Sequence, residues 1–147
     1  MAVVEPTVYD TILVPTDGSE PAAAGIEHAV AIADAFYATI HVLSVLEQGP
    51  WGTPGRDRIR TDLEGEAEDA VEAVRAAASR ADVPVEATIE PGVPHERILE
   101  AVRDGHIDAV VMATHGRTGA ERVLIGSVTE RVVRSSPVPV VTVPASA

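Results

Sequence analysis

The residues best suited to chemistry form a glycine-rich loop that leads into a helix. The loop follows Ala113, contains Gly116, Gly119 and Gly126, and ends at Ser127. Glycine allows backbone to approach a ligand closely, and the Ser-x-x-Glu pattern after the last glycine is typical of a helix start. Unpaired N–H groups and the positive end of the helix dipole make such a junction an anion site. The pattern predicts a phosphate-binding loop, and an ordinary turn before a capped helix is the alternative.

Composition excludes several kinds of phosphate chemistry. The chain of 147 residues contains no cysteine, and all 11 of its basic residues are arginine. Without cysteine there is no disulfide, no thiol nucleophile and no thiolate metal site. Without lysine there is no Walker A clamp, no Schiff base and no receiver-type phosphotransfer. Backbone N–H groups and hydroxyls, rather than an ammonium group, would have to neutralise a bound phosphate.

The net charge of −12 limits the partners of the chain. Such an acidic surface repels nucleic acids and anionic lipids, so neither is expected as a partner. It suits high salt, where the Debye length falls to about 3 Å at 1 M, and we expect a halophilic source. No apolar run approaches the ~20 residues of a membrane span, and the N-terminus lacks the features of a signal peptide. A cytoplasmic protein is therefore expected.

Strands and helices are predicted to alternate along a single domain that spans residues 1–147. Apolar or alternating runs predict strands over residues 11–14, 38–46, 83–89, 107–113 and 138–143. Helical spacing predicts one helix with Ser19 as its N-cap and further helices over residues 57–81, 94–103 and 127–134. The alternation indicates an α/β fold, a doubly wound five-stranded parallel sheet in the order 3-2-1-4-5 with helices on both faces. A proline- and glycine-rich loop holds the single tryptophan, Trp51, whose role stays open between loop anchor, partner contact and lid.

In such a sheet ligands bind beyond the carboxyl ends of the strands, where the strand order reverses. The ends of the first and fourth strands flank this point, so we expect Asp17 and Gly116 to face one crevice. Asp17 begins part of a phosphatase-like motif, but Pro15 stands where the nucleophilic aspartate would be. The five histidines lack metal-ligand spacing, and no Ser/His/Asp set is readable. Neither a catalytic residue nor a metal-binding residue is predicted.

Several motifs together resemble the universal stress protein family, in its small, single-domain form. They are ILVPTDGS over residues 12–19, His41-Val42, Gly92-Val93-Pro94 and the glycine loop. The nucleotide-binding branch of that family carries Gly-x-x-Gly, nine residues, and then Gly-Ser or Gly-Thr. This chain has Ala113 in place of the first glycine, and then Gly116, nine residues, and Gly126-Ser127. The resemblance implies an ATP-binding regulatory or stress-response protein.

The resemblance also implies a role for each matching residue. The adenine and ribose would lie near Pro15, Thr16, Asp17, Met112 and Ala113, with backbone hydrogen bonds from Val42 to the adenine edge. The phosphates would be held by Gly116, Gly126, Ser127, Val128 and Thr129, with a Mg²⁺ or Mn²⁺ ion shared by the phosphates.

Relatives of this kind dimerise through their last strand, so a homodimer through the strand from Val138 to Val143 is expected. Two other functions stay open. One is a stress-associated interaction protein that binds no nucleotide. The other, slow ATP hydrolysis, is weaker because the sequence offers no evident general base.

Overall fold

The computed structural model describes residues 8–47, 60–115 and 125–144, in which five strands and four helices alternate. The strands are β1 (Thr11–Pro15), β2 (Thr39–Glu47), β3 (Val85–Gly92), β4 (Ala109–Ala113) and β5 (Val140–Val143). The helices are α1 (Glu20–Phe36), α2 (Arg60–Ser79), α3 (Pro94–Asp104) and α4 (Ser127–Ser135). The predicted role of Trp51 and the predicted start of the second helix lie outside the described residues.

The five strands form one parallel sheet in the order β3-β2-β1-β4-β5, which confirms the predicted topology. The chain first builds outward from β1 through β2 to β3, and then crosses back to place β4 on the other side of β1. The order therefore reverses beside β1, between β1 and β4. This is the place where open α/β sheets bind ligands.

Helices cover both faces of the sheet, as predicted. The helices α1 and α2 pack on one face, and α3 and α4 pack on the other. The cluster on the first face includes Val14, Ile26 and Val74, and the cluster on the second includes Leu13, Ile98 and Val132. Burial of one such side chain stabilises the fold by about 1.5–3 kcal/mol. Because aromatic residues make up only 3% of the chain, these aliphatic clusters form the core.

Several element bounds differ from the predicted ones for local reasons. The strand β4 begins at Ala109 because the carboxylate of Asp108, just before it, accepts hydrogen bonds from the Asp10 and Thr11 N–H groups (2.8 and 2.9 Å). The strand β3 extends to Gly92 because β2 continues to pair with it up to Glu47. In the part of the chain that the structure describes, no helix combines the length and apolar character that a membrane span needs.

Candidate functional site

The strands β1 and β4 separate before their carboxyl ends. They pair only at Ile12–Ala109 and Leu13–Val110, although β4 continues to Ala113. The N–H of Thr16 bonds to β2 through the Leu43 carbonyl (3.0 Å). Successive residues of a strand present their backbone groups to opposite neighbours, so the preceding residue, Pro15, faces β4. Because proline has no N–H, the β1–β4 ladder cannot continue there, and the place where the two strand ends part is the crevice expected from the topology.

The far wall of this crevice is the end of β4. Met112 and Ala113 pair with β5 on their other side, opposite Thr142 and Val143. The side chain of Ala113 lies on the sheet face covered by α1, since side chains two residues apart share a face and Val111 packs in the α1 cluster. Ala113 is only 7% exposed, so its methyl group presents little surface to the crevice.

The two ends of the loop that follows β4 are hydrogen-bonded to each other. The N–H of Gly126 donates to the Thr114 carbonyl (2.6 Å), and the Thr114 hydroxyl lies 3.1 Å from Nδ1 of His115. Gly126 has φ −71°, an ordinary value, so its requirement for glycine comes from close packing. A Cβ there would lie 3.2 Å from the Thr114 carbonyl oxygen and 3.5 Å from Cα of His115. Gly116, inside the loop, lies outside the described residues.

The helix α4 begins directly after this junction and leaves three backbone donors without an intrahelical acceptor. Its first hydrogen bond runs from the Glu130 N–H to the Gly126 carbonyl (2.9 Å), so the N–H groups of Ser127, Val128 and Thr129 have no acceptor within the helix. The predicted helix start at Ser127 is confirmed, and the alternative interpretation, in which Ser127 caps the helix, is wrong. Gly126 is the N-cap and has no side chain with which to cap the helix, and Ser127 is the first helical residue. The three N–H groups stay available to an anion.

Thr129 joins α4 to the end of β4. It is 3% exposed, and its hydroxyl donates to the Ala113 carbonyl (2.9 Å). This bond fixes the helix N-terminus against the wall of the crevice. Because the hydroxyl is committed to the strand, Thr129 offers a ligand its N–H and not its side chain.

The helix α1 also begins at the carboxyl edge, but its first turn contains Pro21, which has no N–H, and the N–H groups just before the helix are occupied. The Gly18 N–H donates to the Thr16 hydroxyl (3.2 Å), and the Ser19 N–H donates to the Asp17 carboxylate (2.9 Å). Ser19 is the N-cap, as predicted, although its hydroxyl makes no capping bond. Gly18 has φ 77°, a left-handed conformation that favours glycine. The turn thus satisfies its own N–H groups and carries a negative charge.

The same turn borders a cleft of about 260 Å³ between α1 and α2. Its lining includes Thr16 and Asp17 together with two further acidic residues, Glu66 and Asp69.

The structure places the predicted site residues in two groups. Pro15, Thr16 and Asp17 lie at the end of β1, while Met112, Ala113, Gly126, Ser127, Val128 and Thr129 gather at the end of β4 and the start of α4.

Val42 does not belong to either group, and its predicted backbone contact with adenine is wrong. The N–H of Ile40 donates to the Pro84 carbonyl, so Ile40 and Val42 present their backbone groups to β3. Val42 is paired there, opposite Ala87, and is 0% exposed. The β2 residue that faces the crevice is Val45. It lies two residues past Leu43, on the side from which β1 has departed.

Comparison with known proteins identifies the family. The model of the universal stress protein family matches residues 8–144.

The chain belongs to the universal stress protein family.

A relative from Methanocaldococcus jannaschii, universal stress protein MJ0531, is 34% identical over 140 residues, which cover 92% of this chain and 82% of the relative. The solved structure of MJ0577, from the same organism, superposes with a TM-score of 0.81 at 28% identity and covers 95% of this chain and 99% of that one.

Two further solved universal stress proteins hold adenine nucleotides. One is in complex with cAMP, with a TM-score of 0.73 at 23% identity over 95% of this chain and 99% of that chain. The other, from Archaeoglobus fulgidus, is in complex with dAMP, with a TM-score of 0.71 at 19% identity over 92% of this chain and 98% of that chain. At these identities the likeness to this chain is one of fold.

Sequence reasoning missed two residues of this universal stress protein site. Val45 could not be chosen over Val42 because the sequence does not reveal where β1 stops pairing. Gly25 lies inside α1 against the backbone of Ala113, and its signal was a glycine within a helix, which costs about 1 kcal/mol relative to alanine and usually has a packing reason. Among the described residues, no group of three or more His, Asp or Glu side chains is arranged to hold a metal ion.

Proposed function

We propose that this universal stress protein binds an adenine nucleotide, ATP in particular, in the crevice between β1 and β4. The observation that carries the proposal is the N-terminus of α4, whose N–H groups at Ser127, Val128 and Thr129 lack intrahelical acceptors. They lie beside the end of β4, to which Thr129 is bonded. Three converging donors and the helix dipole favour a phosphate group.

The phosphates would be held without lysine. Gly126 keeps side-chain atoms away from the junction, the three N–H groups donate, and the exposed hydroxyl of Ser127 adds a further donor. Gly116 is proposed as part of the same seat from the family motif. A Mg²⁺ or Mn²⁺ ion would be held by the phosphates, because the described residues supply no cluster of protein ligands for it. Such an ion would neutralise charge that an acidic chain otherwise repels.

The nucleoside would occupy the space between the two strand ends. Pro15, Thr16 and Asp17 border one side, and Met112 and Ala113 border the other. We propose Val45, in place of Val42, as the residue whose backbone N–H and C=O meet the adenine edge. An adenine edge carries both a donor and an acceptor, which one strand residue facing an open side can match.

We infer a regulatory role, in which bound nucleotide changes the assembly of the protein, and not an enzymatic one. The strand β5 lies at the sheet edge and pairs with β4 alone within the described chain. An edge strand with Val140 and Val141 partly exposed invites pairing. We propose a homodimer formed through the segment from Val138 to Val143, and sedimentation at micromolar concentration in high salt tests it by giving a dimer or a monomer mass.

Isothermal titration calorimetry with ATP and Mg²⁺ tests nucleotide binding. We expect saturable binding below millimolar ATP, and weaker binding of GTP, whose base reverses the donor and acceptor at the edge. The absence of saturable heat at millimolar ATP would remove the proposal and leave an interaction protein of the same fold. Phosphate release that persists in the Gly126→Val variant would be attributable to contamination and not to this chain.

A further inference from the structure

The helix α1 lies in direct contact with the backbone at the end of β4, at a single glycine. Gly25 is buried in the middle of the helix, and a Cβ built on it would lie 3.2 Å from the Ala113 nitrogen and 3.3 Å from the Met112 carbonyl carbon. Contacts of this length with backbone atoms require the helix or the strand to shift. Glycine at this position therefore sets how closely α1 approaches the wall of the crevice.

The strand residue at this contact is the position where the chain departs from the nucleotide-binding pattern. Ala113 stands where that pattern has glycine, and its side chain lies on the face that α1 covers. The atoms that a Cβ at position 25 would meet are backbone atoms of Met112 and Ala113, and the Ala113 methyl group lies on the same face of the strand. The two residues together contribute one Cβ.

We propose that Gly25 is a positioning residue that compensates for Ala113 and keeps the nucleotide crevice in a binding geometry. This inference rests on the proposed nucleotide binding. The effect reaches the phosphate seat through the Ala113 carbonyl, which accepts the buried Thr129 hydroxyl at 2.9 Å. A shift of the strand end caused by a side chain at position 25 moves the acceptor that fixes the start of α4.

The test compares two glycines that both lie within helices. Gly25→Ala adds a methyl group against Ala113, whereas Gly65→Ala adds one in α2 with no atom within 4 Å. Both changes raise helix propensity equally, so a difference between them reports the contact and not the helix. Calorimetry with ATP and Mg²⁺ measures affinity, and amide chemical shifts at Ala113 and Thr129 measure displacement of the strand end.

We expect Gly25→Ala to raise the ATP dissociation constant about tenfold, the effect of about 1.4 kcal/mol of overpacking, and to shift both amides. Gly65→Ala should stay within about twofold of the unaltered chain, as expected for an uncoupled site. Adding Ala113→Gly to Gly25→Ala should restore binding to within about twofold, because a strand end without that methyl group can shift by the small distance that the new methyl group at position 25 requires.

Each result decides the matter. Failure of the unaltered chain to bind ATP overturns the proposed function and this inference with it. Binding by the unaltered chain together with equal binding by Gly25→Ala, or no rescue by Ala113→Gly, overturns the compensation alone. If Gly25→Ala does not fold, the double variant replaces it: a folded, ATP-binding double variant supports the compensation, and an unfolded one overturns it.

Discussion

Two of the helices that begin at the carboxyl edge of the sheet, α1 and α4, differ in the N–H groups that their first turns leave open. At α1 the Ala22 N–H of the first turn donates to the Ser19 carbonyl (3.1 Å), and the Gly18 and Ser19 N–H groups just before the helix are taken by the Thr16 hydroxyl and the Asp17 carboxylate. At α4 the N-cap is Gly126, and among the described residues the N–H groups of Ser127, Val128 and Thr129 have no acceptor. The first turn of α1 also contains a proline, which removes a donor altogether.

The difference shows that a helix N-terminus attracts an anion only when the chain leaves its donors open. In the α1 turn the Gly18 and Ser19 N–H groups are bonded to side chains of the same turn, and Asp17 adds a carboxylate. This turn therefore borders the crevice without attracting an anion. The α4 turn is held in place from the side, by the bond from Thr129 to the Ala113 carbonyl, and its donors stay free for a ligand. The phosphate seat is therefore proposed at α4 and the nucleoside side at α1.

The largest effect is expected from closing the α4 junction. Gly126→Val places a branched side chain 3.2 Å from the Thr114 carbonyl oxygen and should weaken ATP binding about a hundredfold, the effect of about 2.7 kcal/mol of overpacking. Calorimetry measures the affinity, and circular dichroism should show the fold retained. Gly65→Val, at an open glycine of α2, is the matched control and should bind ATP normally. Full affinity in Gly126→Val would place the phosphates elsewhere.

A smaller effect is expected from releasing α4 from β4. Thr129→Val keeps the shape of the buried side chain but leaves the Ala113 carbonyl without its donor, so the free energy of unfolding should fall by about 1–3 kcal/mol. Affinity for ATP should fall about tenfold as the helix start loses its anchor. Urea denaturation and calorimetry measure the two quantities. Thr129→Ser retains the hydroxyl and should recover most of both. A Val variant as stable as the unaltered chain would contradict the anchoring role.

A third variant opens the α1 turn. Asp17→Ala removes the acceptor of the Ser19 N–H and should lower the free energy of unfolding by about 1 kcal/mol, the usual net contribution of one hydrogen bond. Asp17→Asn keeps an oxygen in the same position and should be close to neutral in stability. Thermal unfolding distinguishes the two variants. Equal destabilisation by both would assign the effect to the charge of Asp17 and not to its hydrogen bond.

The smallest effect concerns the acidic surface beside the α1 turn. Like charges recur four residues apart along α2, as at Glu68 and Glu72, and each such pair destabilises a helix by a few tenths of a kcal/mol. Raising potassium chloride from 0.1 to 1 M shortens the Debye length from about 10 to about 3 Å and should stabilise the fold by about 0.5 kcal/mol. Urea midpoints at the two salt concentrations measure it. Stability that falls with salt would remove the expectation of a halophilic source.

The order of elements could be predicted because it depends on local patterns. The apolar runs at Ile12 and Val110 indicate buried strands. Apolar residues at helical spacing, few of them aromatic, indicate helices that pack on a sheet. The strand order followed from alternation and crossover handedness. The predicted family is confirmed for the same reason, because its motifs are contiguous segments at fixed spacing.

The site was harder to predict because it depends on where strands stop pairing. Val42 and Val45 are equally plausible in sequence, and only the departure of β1 after Thr16 separates them. Ser127 has the sequence of a cap, but the bond from the Gly126 N–H to the Thr114 carbonyl moves the cap back by one residue. The contact of Gly25 with Ala113 joins residues 88 apart along the chain, beyond the reach of any local pattern.

Amide chemical shifts during a titration with ATP and Mg²⁺ test most directly whether the phosphates bind at the start of α4 and not at the start of α1, because they report on each N–H at both helix starts. We predict saturable changes that are largest at Ser127, Val128 and Thr129 and small at Gly18 and Ser19, with the α4 changes lost when adenosine replaces ATP. Saturable changes centred on Gly18 and Ser19, or α4 changes that are as large with adenosine, would contradict it.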